Sequence, residues 1–413
     1  MSEGPLAGLR VLDLTWILAG PYASMVLCDL GAEVVKVERP PDGDVARTTG
    51  PFVNNESAYF QSINRGKRSI AIDLRGERGK SLFLDLVEKA DVVMENFRPG
   101  AMERLGLGYA DLAKRNPRIV YAATSGFGQT GPQREKPALD IVVQGMGGVM
   151  SITGYPDGPP ARVGTSVGDI SAGLYTAIGI LAALREREAS GEGQLVDISM
   201  LDCQIAVLEN AVVRYFTTGK EPTRLGTRHP SATPFQAFPT SDGWLVLALA
   251  WGVTNQWALL CSALERVDLI DDPRFDTSFK RTENHAELEP ILFAAMAGKT
   301  TDEWLAILEP YGMPIAPLNS IGEAMSQEQI VHRGMITEVD HPEVGTIKMA
   351  DSPLKHMSRT PAGAGEAGPA FAQDTAAVLQ ELLGYDAAQV EELVEAGVAL
   401  TEGGPDIEAY LNA

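Results

Sequence analysis

The residue of this chain best placed to do chemistry is an aspartate between a glycine and a long apolar run. Asp169 follows Gly168 and precedes Ile170–Arg187, which reads as one helix. Aspartate is a favoured helix N-cap, and that structural role explains the residue by itself. The same position suits a nucleophile, because the helix dipole and unpaired amides hold a carboxylate there as the anion. Ionised and exposed, it can attack an activated acyl group. Ser171, Ala172 and Gly173 are small and would leave a ligand room to approach. The two roles are compatible.

Other spacings compete. Gly164-Thr165-Ser166-Val167-Gly168 matches the nucleophile elbow of serine hydrolases, with His229, His285, His332, His341 and His356 as candidate bases. That motif needs a buried strand before it, and Pro159-Pro160-Ala161-Arg162-Val163 cannot be a central strand. Gly126-Phe127-Gly128-Gln129-Thr130-Gly131 fits the dinucleotide pattern, yet Pro132–Pro137 after it is no helix, and a pyrophosphate needs a helix N-terminus. Asn64-Arg65-Gly66-Lys67-Arg68-Ser69 looks like a phosphate loop without being a Walker A motif, and a solvated charged turn explains it equally. Glu95-Asn96-Phe97-Arg98-Pro99-Gly100 ends a strand, where ligands of open α/β sheets bind, and Arg98 and Arg104 could donate to phosphate. No metal spacing of His, Cys and carboxylates stands out. Cys28, Cys203 and Cys261 are too few for a disulfide framework.

Alternating elements must position these residues. Strands are expected at Leu9–Leu14, Glu33–Glu38, Ser69–Asp73, Asp91–Glu95 and Arg118–Thr124, with helices at Tyr22–Leu30, Gly79–Lys89 and Ala101–Arg115. Such alternation implies an α/β fold with a mainly parallel sheet. Helices are expected at Asp169–Ala189 and Ser199–Phe216. From about Lys220 the texture changes: a strand at Trp244–Ala250, then helices at Asn255–Leu264, Ala286–Met296 and Thr301–Tyr311, suggest a smaller domain ending near residue 330. A linker at 361–370 precedes helices at 373–383 and 387–396.

The chain has 413 residues, which favours two domains. Its net charge is −21, which argues against nucleic acid or an anionic membrane as partner. Residues 361–413 carry ten acidic and no basic side chains, whereas 65–80 hold Arg65, Lys67, Arg68, Arg75, Arg78 and Lys80, a patch suited to a small polyanion. The start lacks a signal-peptide pattern, and the apolar run Ala172–Leu184 is shorter than a bilayer span of about 20 residues. A cytoplasmic protein is the expectation.

Several segments together resemble the class III CoA-transferases, a family that includes the α-methylacyl-CoA racemases. They are Leu6–Leu14, Leu18-Ala19-Gly20-Pro21, Leu30–Pro40, Asn64–Ser69, Glu95–Gly100, Gly168-Asp169, His229-Pro230, Pro234-Phe235-Gln236 and Asp242-Gly243. The resemblance implies a large Rossmann-like domain, 1–220 with 331–413, a small α/β domain inserted at 221–330, and an interlocked homodimer. It implies that Asp169 is the nucleophile, alternating between mixed anhydrides and an aspartyl-CoA thioester. CoA contacts would come from Leu18, Ala19, Arg39, Ile72, Asp73, Leu74, Arg75, Asn96, Phe97, Arg98, Arg104, Lys136, Pro137, Ala138 and Leu139. CoA is then a substrate, and no tightly bound cofactor or metal is implied.

The similarity is greatest to the branch that uses succinyl-CoA and short dicarboxylic acids. A second carboxylate needs a cationic or donor-rich clamp, which Arg47, Arg228 or His229 could supply, and Asp140 is a further expected substrate contact. Leu139 stands where the racemases carry a histidine, so two-base chemistry at an α-carbon lacks one base. Leu18 replaces the glutamine of the formyl-CoA/oxalate branch, which argues against oxalate. Ala372-Gln373-Asp374 replaces the usual Gly-Glu-His. The remaining alternatives are the racemase, a serine hydrolase using Ser166 and a non-catalytic CoA-binding protein.

Overall fold

Short aliphatic runs separated by amphipathic helices build the main sheet. The computed structural model describes residues 4–249, 255–360, 362–363 and 365–411. In chain order the elements that matter for the site are β1 (Arg10–Asp13), α1 (Ala19–Asp29), β2 (Glu33–Glu38), α2 (Ala58–Asn64) and β3 (Arg68–Ile72). Then come α3 (Glu77–Val87), β4 (Val92–Glu95), α4 (Ala101–Leu105), α5 (Tyr109–Arg115) and β5 (Val120–Ser125). They continue as α6 (Asp140–Met146), α7 (Val167–Ser190), β6 (Leu195–Ser199), α8 (Met200–Val207) and α9 (Asn210–Thr218). Near the C-terminus lie α10 (Thr375–Leu383), α11 (Ala387–Glu395) and β7 (Ala399–Leu400).

The strands form one seven-stranded sheet in the order β7-β3-β2-β1-β4-β5-β6. All pairs are parallel except β7 on β3. Without that edge strand the order is 3-2-1-4-5-6, the doubly wound Rossmann arrangement. The chain winds outward from β1 to β3, then restarts beside β1 with β4. The crevice above the carboxyl ends of β1 and β4 is therefore the topological switch point.

Alternation along the strands splits the core into two layers. Leu12, Val35, Ile70, Val93 and Tyr121 pack against Phe83, Leu86, Leu112, Val378 and Leu393 on one face. Val11, Val34, Val92, Met94 and Val120 pack against Ala23, Leu27, Ala177 and Ile180 on the other. The second layer contains α7, whose length and hydropathy alone would let it cross a bilayer, although half of that window is buried within the protein.

Sequence-based boundaries were close for these elements, with physical exceptions. The helix expected over Ala101–Arg115 is broken into α4 and α5 at Gly106, whose φ of 72° ends the first helix. The helix expected over Ser199–Phe216 breaks at Glu209, φ 48°. The strand expected to reach Ala250 ends at Ala248, and Ala250 lies outside the described residues. β6, β7 and the hairpin Ile336–His341/Gly345–Ala350 were not anticipated. The altered segment Ala372-Gln373-Asp374 sews α10 to β3: Asp374 accepts from the Ser69 amide at 2.8 Å, and the Ala372 amide donates to Ser69 Oγ at 2.9 Å.

The chain divides into two compact units, 1–149 with 163–218 and 329–413, and 150–162 with 219–328. The segment 150–162, expected in the large domain, groups with the second unit. That unit has its own antiparallel sheet of Ile315–Pro317, Trp244–Ala248 and Phe235–Pro239. Its core holds Phe238, Leu245, Trp257, Leu288 and Trp304.

Candidate active site

The loops leaving β1, β2, β3 and β4 enclose a cavity of about 670 Å³ at the carboxyl edge of the sheet. Arg39, Ile72, Asp73, Leu74, Arg75 and Phe97 line it, six of the residues expected to contact CoA. Asn96 closes the switch point: its Oδ1 accepts from the Trp16 amide and its Nδ2 donates to the Trp16 carbonyl, both at 2.9 Å. Leu18 and Ala19 lie just beyond, Leu18 packed on Phe60 and Ile63 and Ala19 on Val143 and Ala172. Arg98 is exposed just before α4 and Arg104 in its last turn. Lys136, Pro137, Ala138 and Leu139 do not line the cavity; they form the loop into α6, folded over Gly126, where a side chain would collide with Ala138.

Asp169 does not cap its helix. The helix begins at Val167 with Ser166 at the N-cap, and Asp169 lies in the first turn. The amide expected to stabilise it is used by a neighbour: Asp140 Oδ1 accepts from the Gly168 N–H at 2.8 Å, while its Oδ2 accepts from Gln144 Nε2 at 2.7 Å. Only glycine permits that approach, since a Cβ at 168 would stand 2.9 Å from Asp140 Oδ1 and 2.8 Å from Val143. Burial, and secondarily the Asp140 charge, push the Asp169 carboxyl up to about 7. This reverses the expectation of a carboxylate held firmly ionised. Asp169 in turn helps, after burial, to raise the Tyr59 phenol to about 12, and Asp44 on the cavity wall contributes to the same shift. Tyr59 thus lies within electrostatic reach of both Asp169 and Asp44.

The small residues after Asp169 serve packing rather than ligand access. Ser171 and Ala172 are buried, and a Cβ on Gly173 would meet the Ala19 carbonyl at 2.8 Å. They let α1 and α7 close on each other, which sets Asp169, one turn before Gly173, near the loop that follows β1.

The basic patch at 65–80 is not an anion site as a whole. Arg65 is buried against Asp29 with 3.0 and 2.6 Å hydrogen bonds, and Lys67 is buried against Asp13 at 3.1 Å. Arg68 is engaged by Glu33 and Glu381, Arg78 by Glu392 and Lys80 by Glu77. Only Arg75 of the six lines the cavity. Arg47 is likewise no acceptor clamp: its Nε and Nη2 bind Glu38 at 2.9 and 2.7 Å, and its guanidinium lies 3.7 Å over the Phe60 ring.

These buried pairs hold the site's loops, a role that sequence reading missed. Lys36 donates to the Thr15 carbonyl at 2.7 Å and pairs with Asp44 at 2.8 Å. Asp44 Oδ1 accepts from Ile17, a β-branched residue held at φ 64°. Asp13, kept well below the usual carboxylate range by Lys67 and Lys36 in spite of burial, accepts from Ser24 at 2.6 Å. A charged residue inside an otherwise aliphatic strand, as in Glu33-Val34-Val35-Lys36-Val37-Glu38, was the available signal.

Arg228 and His229 belong to the second unit. His229 stacks on Phe235 at 4.8 Å between ring centres, and its Nδ1 accepts from the Ser231 amide. Burial and the Arg228 charge lower the pKa of nearby His285, which hydrogen-bonds Gln236 at 2.7 Å. The two other patterns do not form their sites. Residues 159–166 contain no strand, so Ser166 is a helix N-cap rather than an elbow. The glycine run 126–131 is a loop, with Gly128 and Gly131 at φ 84° and 90° and no helix after it until Asp140.

Residues 6–375 match CoA-transferase family III. The chain belongs to that family. It is 41% identical to the mouse succinyl-CoA:glutarate CoA-transferase over 96% of this chain and 91% of the relative. It is 42% identical to the acetyl-CoA:oxalate CoA-transferase of Acetobacter aceti, over 86% of this chain and 89% of that one. Among solved structures, a CaiB/BaiF family protein from Brucella suis aligns with a TM-score of 0.82 at 39% identity, covering 92% of this chain and all of that one. A cavity of nucleotide size at the switch point suits a family III CoA-transferase, and Asp169 is not among the residues that line it.

Proposed function

We propose that this family III enzyme moves CoA from succinyl-CoA to a short dicarboxylic acid, with Asp169 as the covalent carrier. The supporting observation is the Asp169 carboxyl, half-buried in the first turn of α7 and raised to about 7 by burial and Asp140. A carboxylate of that basicity is a better nucleophile than an ordinary surface aspartate. Its oxygen attacks the donor thioester carbonyl, expelling CoA thiolate and forming a mixed anhydride. The thiolate then attacks the Asp169 carbonyl of that anhydride; succinate leaves and an aspartyl-CoA thioester forms. The acceptor carboxylate attacks this thioester, giving a second anhydride and thiolate. Attack of thiolate on the acceptor carbonyl yields the new acyl-CoA and restores the Asp169 carboxylate.

Both relatives named above are CoA-transferases of diacids, which supports a dicarboxylic acceptor here. Arg47 is taken by Glu38 and is not assigned to its second carboxylate. Position 139 is an exposed leucine, which cannot exchange a proton and so disfavours racemase chemistry. We also assign a homodimer. Leu174, Tyr175 and Ile178 on α7 and Val213, Tyr215 and Phe216 on α9 are large apolar side chains left exposed, Phe216 by 79%. A second copy of the chain would cover them.

The test is exchange between succinyl-CoA or acetyl-CoA and a panel of acids: glutarate, mesaconate, itaconate, malate, citramalate, oxalate and butyrate. Diacid acceptance from succinyl-CoA, with loss of about three orders of magnitude in Asp169→Asn, is the expected result. A preference for butyrate over every diacid contradicts the acceptor class. Full activity of Asp169→Asn contradicts the mechanism.

A further inference from the structure

The acidic C-terminal segment returns to the cavity. β7 pairs antiparallel with β3, Ala399 opposite Ile72 and Leu400 opposite Ala71, so the chain leaves β7 heading away from the carboxyl edge of the sheet. Gly403 and Gly404 reverse it, at φ 117° and 116°, a backbone region that side chains rarely enter. A Cβ at Gly404 would also lie 3.2 Å from Phe371, which itself packs on Ala71. The reversal delivers Pro405, Asp406 and Tyr410 to the cavity wall.

The delivery is anchored. Asp406 Oδ1 accepts from the Ala409 amide at 2.9 Å and starts the turn Ile407–Leu411. Ile407 is buried and fastens that turn, while Tyr410 remains 56% exposed although it lines the cavity. An aromatic ring so uncovered, beside an apolar floor of Val37, Ile72 and Leu74, is a ready stacking surface. Its place also fits the long axis of an acyl-CoA. Asp169 sits on α7, packed beneath β5 and β6, whereas Tyr410 enters from the β3 side, across the switch point. The thioester must reach the first and the base lies at the opposite end of the molecule.

We propose that Tyr410 stacks on the adenine base of bound acyl-CoA, making the tail 403–411 one wall of the nucleotide site. This rests on the reading of the cavity as the CoA nucleotide site. These residues lie beyond the span 6–375 that matches the family model.

The probe is 3′,5′-ADP, the nucleotide half of CoA without its thiol, measured by calorimetry on the full chain. Tyr410→Ala should weaken its binding between about 5- and 100-fold, the usual worth of a base–aromatic stack, and Tyr410→Phe should not. With succinyl-CoA the KM of Tyr410→Ala should rise similarly while kcat stays within about twofold; with succinyl-pantetheine, which has no base, its KM should equal the wild type's. Hydrogen exchange gives a readout without a variant: 3′,5′-ADP should slow exchange of amides 406–411 in the wild-type protein. Equal 3′,5′-ADP binding by wild type and Tyr410→Ala, or tail amides that do not respond to it, overturns the role of Tyr410 and leaves the cavity assignment standing. A wild type that turns over succinyl-CoA but binds no 3′,5′-ADP overturns the cavity assignment and this proposal together.

Discussion

At the scale of single residues, the proposed chemistry turns on how Asp140 and Asp169 divide the start of α7. Asp140 takes the Gly168 amide, and Asp169 is left with burial and a like charge. An acid whose pKa is raised is protonated below that value and becomes a nucleophile above it. The rate of donor attack, read as kcat/KM for succinyl-CoA, should therefore climb with pH through about 7 and level off above. Asp140→Asn keeps an oxygen for the Gly168 amide but removes the charge, and should move the inflection to lower pH. An unmoved inflection would show that Asp140 does not act on Asp169. Glu95 offers a stability test of the same kind. Burial pushes it up to about 8, while its Oε2 accepts from the Phe97 amide at 2.7 Å. The unfolded chain ionises this group near the ordinary glutamate value, so it costs increasing stability as pH rises from there towards 8. Glu95→Gln should raise the melting midpoint at pH 9 and change it little at pH 4; an equal effect at both would contradict this assignment.

At the scale of elements, the site is a set of strand-end loops held by buried charge. Lys36 ties the β1 loop, through Thr15, to Asp44 in the β2 loop. Lys36→Met leaves Asp44 buried without its cation, and should destabilise the protein by about 3–5 kcal/mol. Asp44→Asn retains an oxygen for the Ile17 amide but leaves Lys36 buried without this anion, so it should destabilise as well and also raise the KM for succinyl-CoA. Denaturant midpoints and initial rates check both. Short, mostly apolar runs alternating with helices made β1 to β5 legible in the sequence, because these strands pack against a core on both faces. The edge strand β7 and the short β6 were not legible: two residues of ladder, or five that run straight into a helix, leave no period to detect. The position of Asp169 at the head of a long helix was readable, and its ionisation was not. That depends first on burial and then on the charge of Asp140, 29 positions earlier. The cationic run 65–80 misled for a similar reason, since Arg65 and Lys67 find Asp29 and Asp13 only once β1, α1 and β3 are assembled.

At the scale of the whole molecule, the proposed dimer rests on the exposed apolar side chains of α7 and α9. Sedimentation at nanomolar concentration should show only dimer, and Phe216→Asp should weaken it. A folded, active monomer under those conditions would remove the dimer from the account. The central claim remains covalent catalysis by Asp169, and trapping tests it most directly. The protein is incubated with succinyl-CoA and hydroxylamine, digested, and its peptides read by mass spectrometry. The account predicts a hydroxamate on Asp169, formed only when succinyl-CoA is present. A protein that exchanges CoA fully while Asp169 stays unmodified, or that carries its acyl group on Ser166, would contradict it.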